Sequence, residues 1–142
     1  MRVVGVDLGS KRIGIAVSDL SGIIATPRTV IARSGDIATD HARITALVEE
    51  EEAGRVVIGL PLNMDGTPGP AAKAAVAEAR ALATVVGVPV DTYDERRTTV
   101  TAQAVLRGRG VRARDQRGEV DKVAAAVMLQ SWLDSRAARA VR

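Results

Sequence analysis

Three acidic side chains, Asp7, Glu95 and Asp121, have the type and placement to do chemistry together. Asp7 follows the apolar run Val3–Val6, which reads as a strand buried on both faces, where an unpaired charge is costly. Residues 88–93 read as the last strand, which ends on Asp94 and Glu95. Asp121 lies near the start of a long helical pattern in which Asp121, Ala125, Met128 and Trp132 share one face. The small residues 124–126 let that helix approach a sheet closely, so Asp121 can hang over the ends of central strands. Three carboxylates meeting at one point repel, and a hard cation relieves the repulsion. Mg²⁺ and Mn²⁺ favour oxygen ligands. Two such ions roughly 3.5–4 Å apart can activate a water and stabilise the leaving oxygen of a phosphodiester. Each acid alone also has an ordinary structural role. Asp near Gly suits a turn, Glu95 can pair with Arg96 or Arg97, and Asp121 suits a helix N-terminus.

Few other groups compete for a catalytic role. The chain of 142 residues has no cysteine, which removes disulfides, thiolate metal sites and cysteine nucleophiles together. Its single histidine, His41, falls in the first helical segment, distant in sequence from the acids, and reads as a surface residue. Tyr93 and Trp132 are the only aromatic residues. Sequence-tolerant stacking of bases needs several exposed rings, so stacking is not expected to dominate any binding of nucleic acid.

The elements that must position the acids follow from periodicity. Residues 2–8, 13–18 and 23–32 read as strands joined by short turns, an antiparallel meander, with Pro27 marking the third as an edge strand. The second strand has Ile13, Ile15 and Val17 on one face, and only Gly14, Ala16 and Ser18 on the other, which leaves room for close packing. A helix capped by Ser34 or Asp36 carries the stripe Ile37, Ile44, Leu47 and Val48 and stops at Gly54, its four glutamates 49–52 forming a solvated end. A strand over 55–60, a loop over 61–69, an alanine-rich helix over 70–86 and a strand over 88–93 come next. Thr98 or Thr99 can cap a helix through Leu106, a glycine-containing basic segment spans 108–118, and a last helix spans 120–138. The order predicts an α/β fold with one mixed five-stranded sheet, a three-strand antiparallel meander plus two parallel strands, flanked by helices. The length suits a single domain over residues 1–142.

Charge is divided unevenly. Residues 1–95 carry a net −4 and residues 96–142 a net +7. A basic segment beside an acidic remainder fits a phosphate-backbone partner, and equally an arginine-rich solvated surface. Arg109, Arg112 and Arg114 lie in a run that directly precedes the helix bearing Asp121, and are expected to close over a phosphate backbone without reading sequence. No apolar run approaches the roughly 20 residues of a membrane span, and no leader peptide is evident. A cytoplasmic protein without a membrane partner is the expectation.

Four blocks, "GVDLGSKRIGIAVSD", "VVIGLPLNMDGTPG", "DERRTT" and "VDKVAAAVMLQSWL", stand in order over nearly the whole chain. Together they resemble the YqgF, or RuvX-like, proteins of the RNase H-like superfamily. Those proteins are described as Holliday junction resolvases and as nucleases maturing the 5′ end of pre-16S ribosomal RNA. The resemblance implies an RNase H-like fold and a metal-dependent endonuclease using Mg²⁺ or Mn²⁺, with Asp7, Glu95 and Asp121 as its acidic triad. It implies phosphate contacts from Lys11 and Arg12 after the first strand. Asn63, Asp65 and Gly66 match the loop after the fourth strand, and Arg96, Arg97 and Thr98 would position the nucleic acid backbone. The partner would be precursor rRNA or branched DNA, met by a monomer or a homodimer; a symmetric four-way junction calls for two paired sites. Two other classes compete. The first block also resembles the phosphate loop of actin-like ATPases and sugar kinases, which need a second comparable domain. A nucleic-acid-binding protein that keeps the fold and does no chemistry is the other.

Overall fold

The computed structural model describes residues 1–98, 100–110 and 117–140. Its strands are β1 (Val3–Leu8), β2 (Arg12–Ser18), β3 (Ala25–Ala32), β4 (Arg55–Leu60) and β5 (Val90–Asp94). Its helices are α1 (Ile37–Glu50), α2 (Pro70–Ala83), α3 (Val100–Gly108) and α4 (Arg117–Ala140). The sheet order is β3-β2-β1-β4-β5. β1, β2 and β3 pair antiparallel, and β1, β4 and β5 run parallel. The meander and the mixed sheet are those the sequence implies, and β3 does lie at an edge. Its pairing with β2 slips between Ile15 and Ala16, where Ala16 faces Pro27 and Arg28 is the extra residue. A proline without an N–H is tolerated at such an edge and bulge.

Alternation along the strands divides the core in two. Val4, Val6, Ile13, Ile15, Val56 and Ile58 face α1 and α2, where Ile44, Val48, Leu82 and Val86 cover them. Val3, Ala16 and Val57 face the other layer, with Leu106 of α3 and Ala125, Met128, Leu129 and Trp132 of α4. The two central parallel strands are therefore apolar on both faces, as buried parallel strands must be. The α4 side of β1 and β2 is built from small residues. A Cβ on Gly5 would lie 2.8 Å from Leu129 Cβ, and one on Gly14 would lie 2.2 Å from the carbonyl oxygen of Asp121. Close packing of α4 on this face is what the small residues permit.

Of the two candidate caps of α1, Asp36 is the one that accepts from the Thr39 N–H. The helix ends at Glu50 rather than running on to about Ala53, a correction. Glu52 takes a left-handed conformation, φ 52°, and the Glu52 and Ala53 N–H groups turn back to the carbonyls of Glu49 and Val48. This is a Schellman closure with glutamate where glycine is usual. The glutamates are also not merely solvated, since Arg28 bonds Glu51 Oε1 at 2.8 Å and Glu50 Oε1 at 3.1 Å. Among the described residues no helix is long and apolar enough to cross a membrane.

Candidate active site

The acids come together at the end of the sheet where β1, β4 and β5 finish. Asp7 sits on β1 opposite Gly14 of β2. Glu95 opens a single 3-10 turn, Glu95–Arg97, directly after β5. Between β1 and β5 lies β4, whose Gly59 has no side chain. A Cβ there would be 2.5 Å from Glu95 Oε1 and 3.0 Å from its Cγ, so this glycine opens the space through which Glu95 reaches toward Asp7. Asp121 is brought over β2 by the contact of its backbone with Gly14.

The electrostatics follow from this crowding. Burial first, and then the charge of Asp7 and its hydrogen bond, with a smaller push from Asp94, raise Glu95 from 4.5 to about 7. Asp7 is also raised, by burial and then by Asp121, with its hydrogen bond to Glu95 acting in the opposite sense. Glu95 therefore holds the proton that Asp7 accepts, which lets two neighbouring carboxyls avoid a double charge. Asp121 has a different partner. Its Oδ2 accepts from Arg12 Nε at 2.7 Å, with each side chain about a third exposed. Among the described residues no three acidic or histidine side chains already stand as a coordination cage.

The basic residues divide into groups. Lys11 is exposed on the turn between β1 and β2, and Arg12 adjoins the acids through Asp121. Arg96 is engaged elsewhere: its guanidinium forks onto Asp94, and its Nη1 donates to Met64 O at 3.0 Å. Asn63 closes its own loop, with its Nδ2 on Thr67 Oγ1 at 3.1 Å. Arg97 is exposed and lines a groove of about 570 Å³ along β5 with Tyr93, Asp94 and Trp132. Thr98 uses its N–H to close the 3-10 turn onto Glu95 O. Arg109 does not hang over the acids. It donates to Ala25 O at 2.6 Å and Thr26 Oγ1 at 3.0 Å, beside Ser18 and Val17 of β2, well along the strand from Gly14. Its long donor fork caps a strand-end carbonyl. Arg112 and Arg114 lie outside the described residues.

His41 is corrected outright. It is 4% exposed, and its Nε2 lies 2.9 Å from Glu78 Oε2. The sequence reading also passed over Arg33 and Glu78, which form the partly buried pair beside it. One signal was available: Asp40, His41, Ile44 and Val48 share one helical face, all buried, so both polar residues on it needed buried partners.

A mixed sheet of this order, with a long helix across one face, is an RNase H-like fold. RuvC of T. thermophilus, in a complex with a Holliday junction substrate, superposes with a TM-score of 0.66 over 96% of both chains at 19% identity. The RuvX Holliday junction resolvase family model matches residues 1–135, and the chain belongs to that family. A relative from Anaeromyxobacter dehalogenans (strain 2CP-C), provisionally named pre-16S rRNA nuclease, is 52% identical over 96% of this chain and 99% of its own. A Mycobacterium sp. (strain KMS) relative with the same name is 48% identical over 96% of this chain and 82% of its own.

Proposed function

We propose that the chain is a metal-dependent endonuclease that hydrolyses phosphodiester bonds in structured nucleic acid, and that its substrate is the 5′ end of precursor 16S rRNA in the cytoplasm. The convergence of Asp7, Glu95 and Asp121 carries this reading. The relatives at about half identity, named for that substrate, support it. The donor set fits a hard divalent cation, Mg²⁺ or Mn²⁺, in its chemistry: carboxylate oxygens with no competing soft ligand. Asp7 and Glu95 are the pair that would hold it, with Asp121 as the third acid. Once bound, the cation supplies charge neutralisation and Lewis acidity toward the phosphate. Lys11 and Arg12 would draw the phosphate to the acids.

Four-way DNA junctions are the second reading, favoured by the description of the family itself. They require two sites facing a symmetric substrate, hence a homodimer, whereas precursor RNA can be cut by a monomer. The deciding experiment offers both substrates to the purified protein side by side with Mg²⁺ or Mn²⁺, and measures its mass in solution. Cleavage of precursor RNA alone supports the first reading. Junction cleavage by a dimer with RNA untouched replaces it with the second. Binding of both without cleavage returns the protein to a non-catalytic role.

A further inference from the structure

Arg33 follows β3 and reaches in two directions. Toward the acids, it holds two carbonyls of the turn between β1 and β2: its backbone N–H donates to Lys11 O at 2.9 Å, and its Nε donates to Gly9 O at 2.9 Å. Away from them, its guanidinium forks onto Glu78 of α2, Nη1 to Oε2 at 2.8 Å and Nη2 to Oε1 at 3.0 Å. Glu78 Oε2 is shared with His41 of α1 at 2.9 Å. The side chains of Arg33, Glu78 and His41 are 17%, 11% and 5% exposed. Burial alone would raise the Glu78 carboxyl, but the hydrogen bonds and charges of Arg33 and His41 outweigh it and hold it below its ordinary value. The anchor is thus a charged, bidentate and largely dry one, the kind with fixed geometry. The turn it grips is tight, since a Cβ on Gly9 would fall 2.4 Å from Arg12 O.

We propose that Arg33 is a positioning residue for the turn Gly9–Lys11: braced by Glu78 and His41, it fixes the backbone from which Lys11 and Arg12 meet a substrate phosphate. What the turn binds rests on the nuclease reading, whereas what holds the turn does not. Asp7 is fixed separately by its strand pairing with Gly14. Loss of the brace therefore acts on substrate affinity rather than on Asp7.

The test compares Arg33→Lys and Glu78→Gln with Arg28→Lys, the same change in a clamp onto α1 that does not reach the turn. Lysine keeps the charge but cannot bond Gly9 O and both Glu78 oxygens together. Arg33→Lys is expected to raise KM for the nucleic acid substrate about tenfold, with kcat changed less than about twofold. Arg28→Lys leaves KM unchanged. In a Lys11→Ala background, Arg33→Lys costs less than it does alone, because part of its effect passes through that side chain. Amide hydrogen exchange over residues 9–12 speeds up in Arg33→Lys and Glu78→Gln, while β1 keeps its protection. Unchanged exchange at the turn, additive losses with Lys11→Ala, or an equal effect of Arg28→Lys would each overturn the assignment. Should Arg33→Lys fail to fold, Glu78→Gln decides by the same measures. Should the wild-type protein bind neither precursor RNA nor a four-way junction, the nuclease reading fails and the phosphate role with it, and the exchange measurement separates that failure from an error about what holds the turn.

Discussion

At the scale of single residues, the site is a problem of unfavourable charge. Asp7 and Glu95 are joined by a hydrogen bond, and burial raises both carboxyls, with Asp121 adding to the rise of Asp7 and Asp7 adding to that of Glu95. Asp7→Asn removes one of the repelling charges with little change in shape. It is expected to abolish cleavage, a loss of at least about a hundredfold, while leaving the melting temperature in metal-free buffer equal or higher. Wild-type cleavage rates in Asp7→Asn would dismiss the acids as the reacting centre. Glu95 makes a second expectation, in stability. Its folded pKa lies above its unfolded one, so the folded state binds the proton more tightly. The stabilisation is complete below about 4.5 and is lost as pH rises through about 7. With a chelator present, the melting temperature should fall between roughly pH 4.5 and pH 7, and this fall should be smaller in Glu95→Gln. A pH profile unaltered by Glu95→Gln would show that the carboxyl is not raised. Divalent cation should restore stability at the upper end, where both acids are charged.

At the scale of elements, glycines decide where the acids land. On β4, Gly59 opens the space for Glu95, and on β2, Gly14 admits the backbone of α4 at Asp121. The two differ in what a methyl group would strike. Gly59→Ala meets a side chain that can swing away, so it is expected to displace Glu95 and reduce cleavage at least about tenfold at small cost in stability. Gly14→Ala meets backbone 2.2 Å away, so α4 itself must shift, a cost of about 1–3 kcal/mol or more seen as a lower melting temperature. Equal thermal losses in both variants would contradict this distinction. The same contrast explains what could be read from the sequence. Apolar runs and their alternation carried the strand order, because a two-sided buried strand admits few other residues. The small face of β2 announced α4. The three acids were visible as charges at ends of apolar elements. The ion-pair geometry was not visible. Nothing in the spacing of Arg33, His41 and Glu78, on three different elements, shows that they meet. Nor did it show that Arg96 folds onto Asp94 and Arg109 onto β3. Long flexible side chains choose partners by tertiary proximity, and periodicity holds no information about that. The glutamate stop of α1 escaped for a related reason, since a left-handed residue is expected to be glycine.

At the scale of the molecule, the excess of basic charge in the last third has to be apportioned between structure and binding. Counted by formal charge, every arginine contributes to attraction of a polyanion. Counted by geometry, Arg109 is already used, its guanidinium bonded to Ala25 O and Thr26 Oγ1 at the far part of β3. Phosphate neutralisation by a protein appears as a slope of log affinity against log salt, because bound cations displace condensed counterions. A side chain spent on the fold should not contribute to that slope, and one that touches phosphate should. Arg109→Ala is therefore expected to lower stability by about 1 kcal/mol through its missing hydrogen bonds, with the salt slope for nucleic acid binding unchanged. Lys11→Ala, on the exposed turn beside the acids, should flatten the slope by about 0.7–0.9 and leave the melting temperature within a degree or so. Arg112→Ser with Arg114→Ser tests the basic run before α4 by the same measure. Each phosphate that the variant no longer neutralises should take about 0.7–0.9 off the slope and weaken binding to all sequences alike. Binding isotherms over a series of salt concentrations, together with thermal melts, separate the three variants. A flattened slope in Arg109→Ala, or none in Lys11→Ala, would reverse the division between charges that hold the fold and charges that meet the substrate.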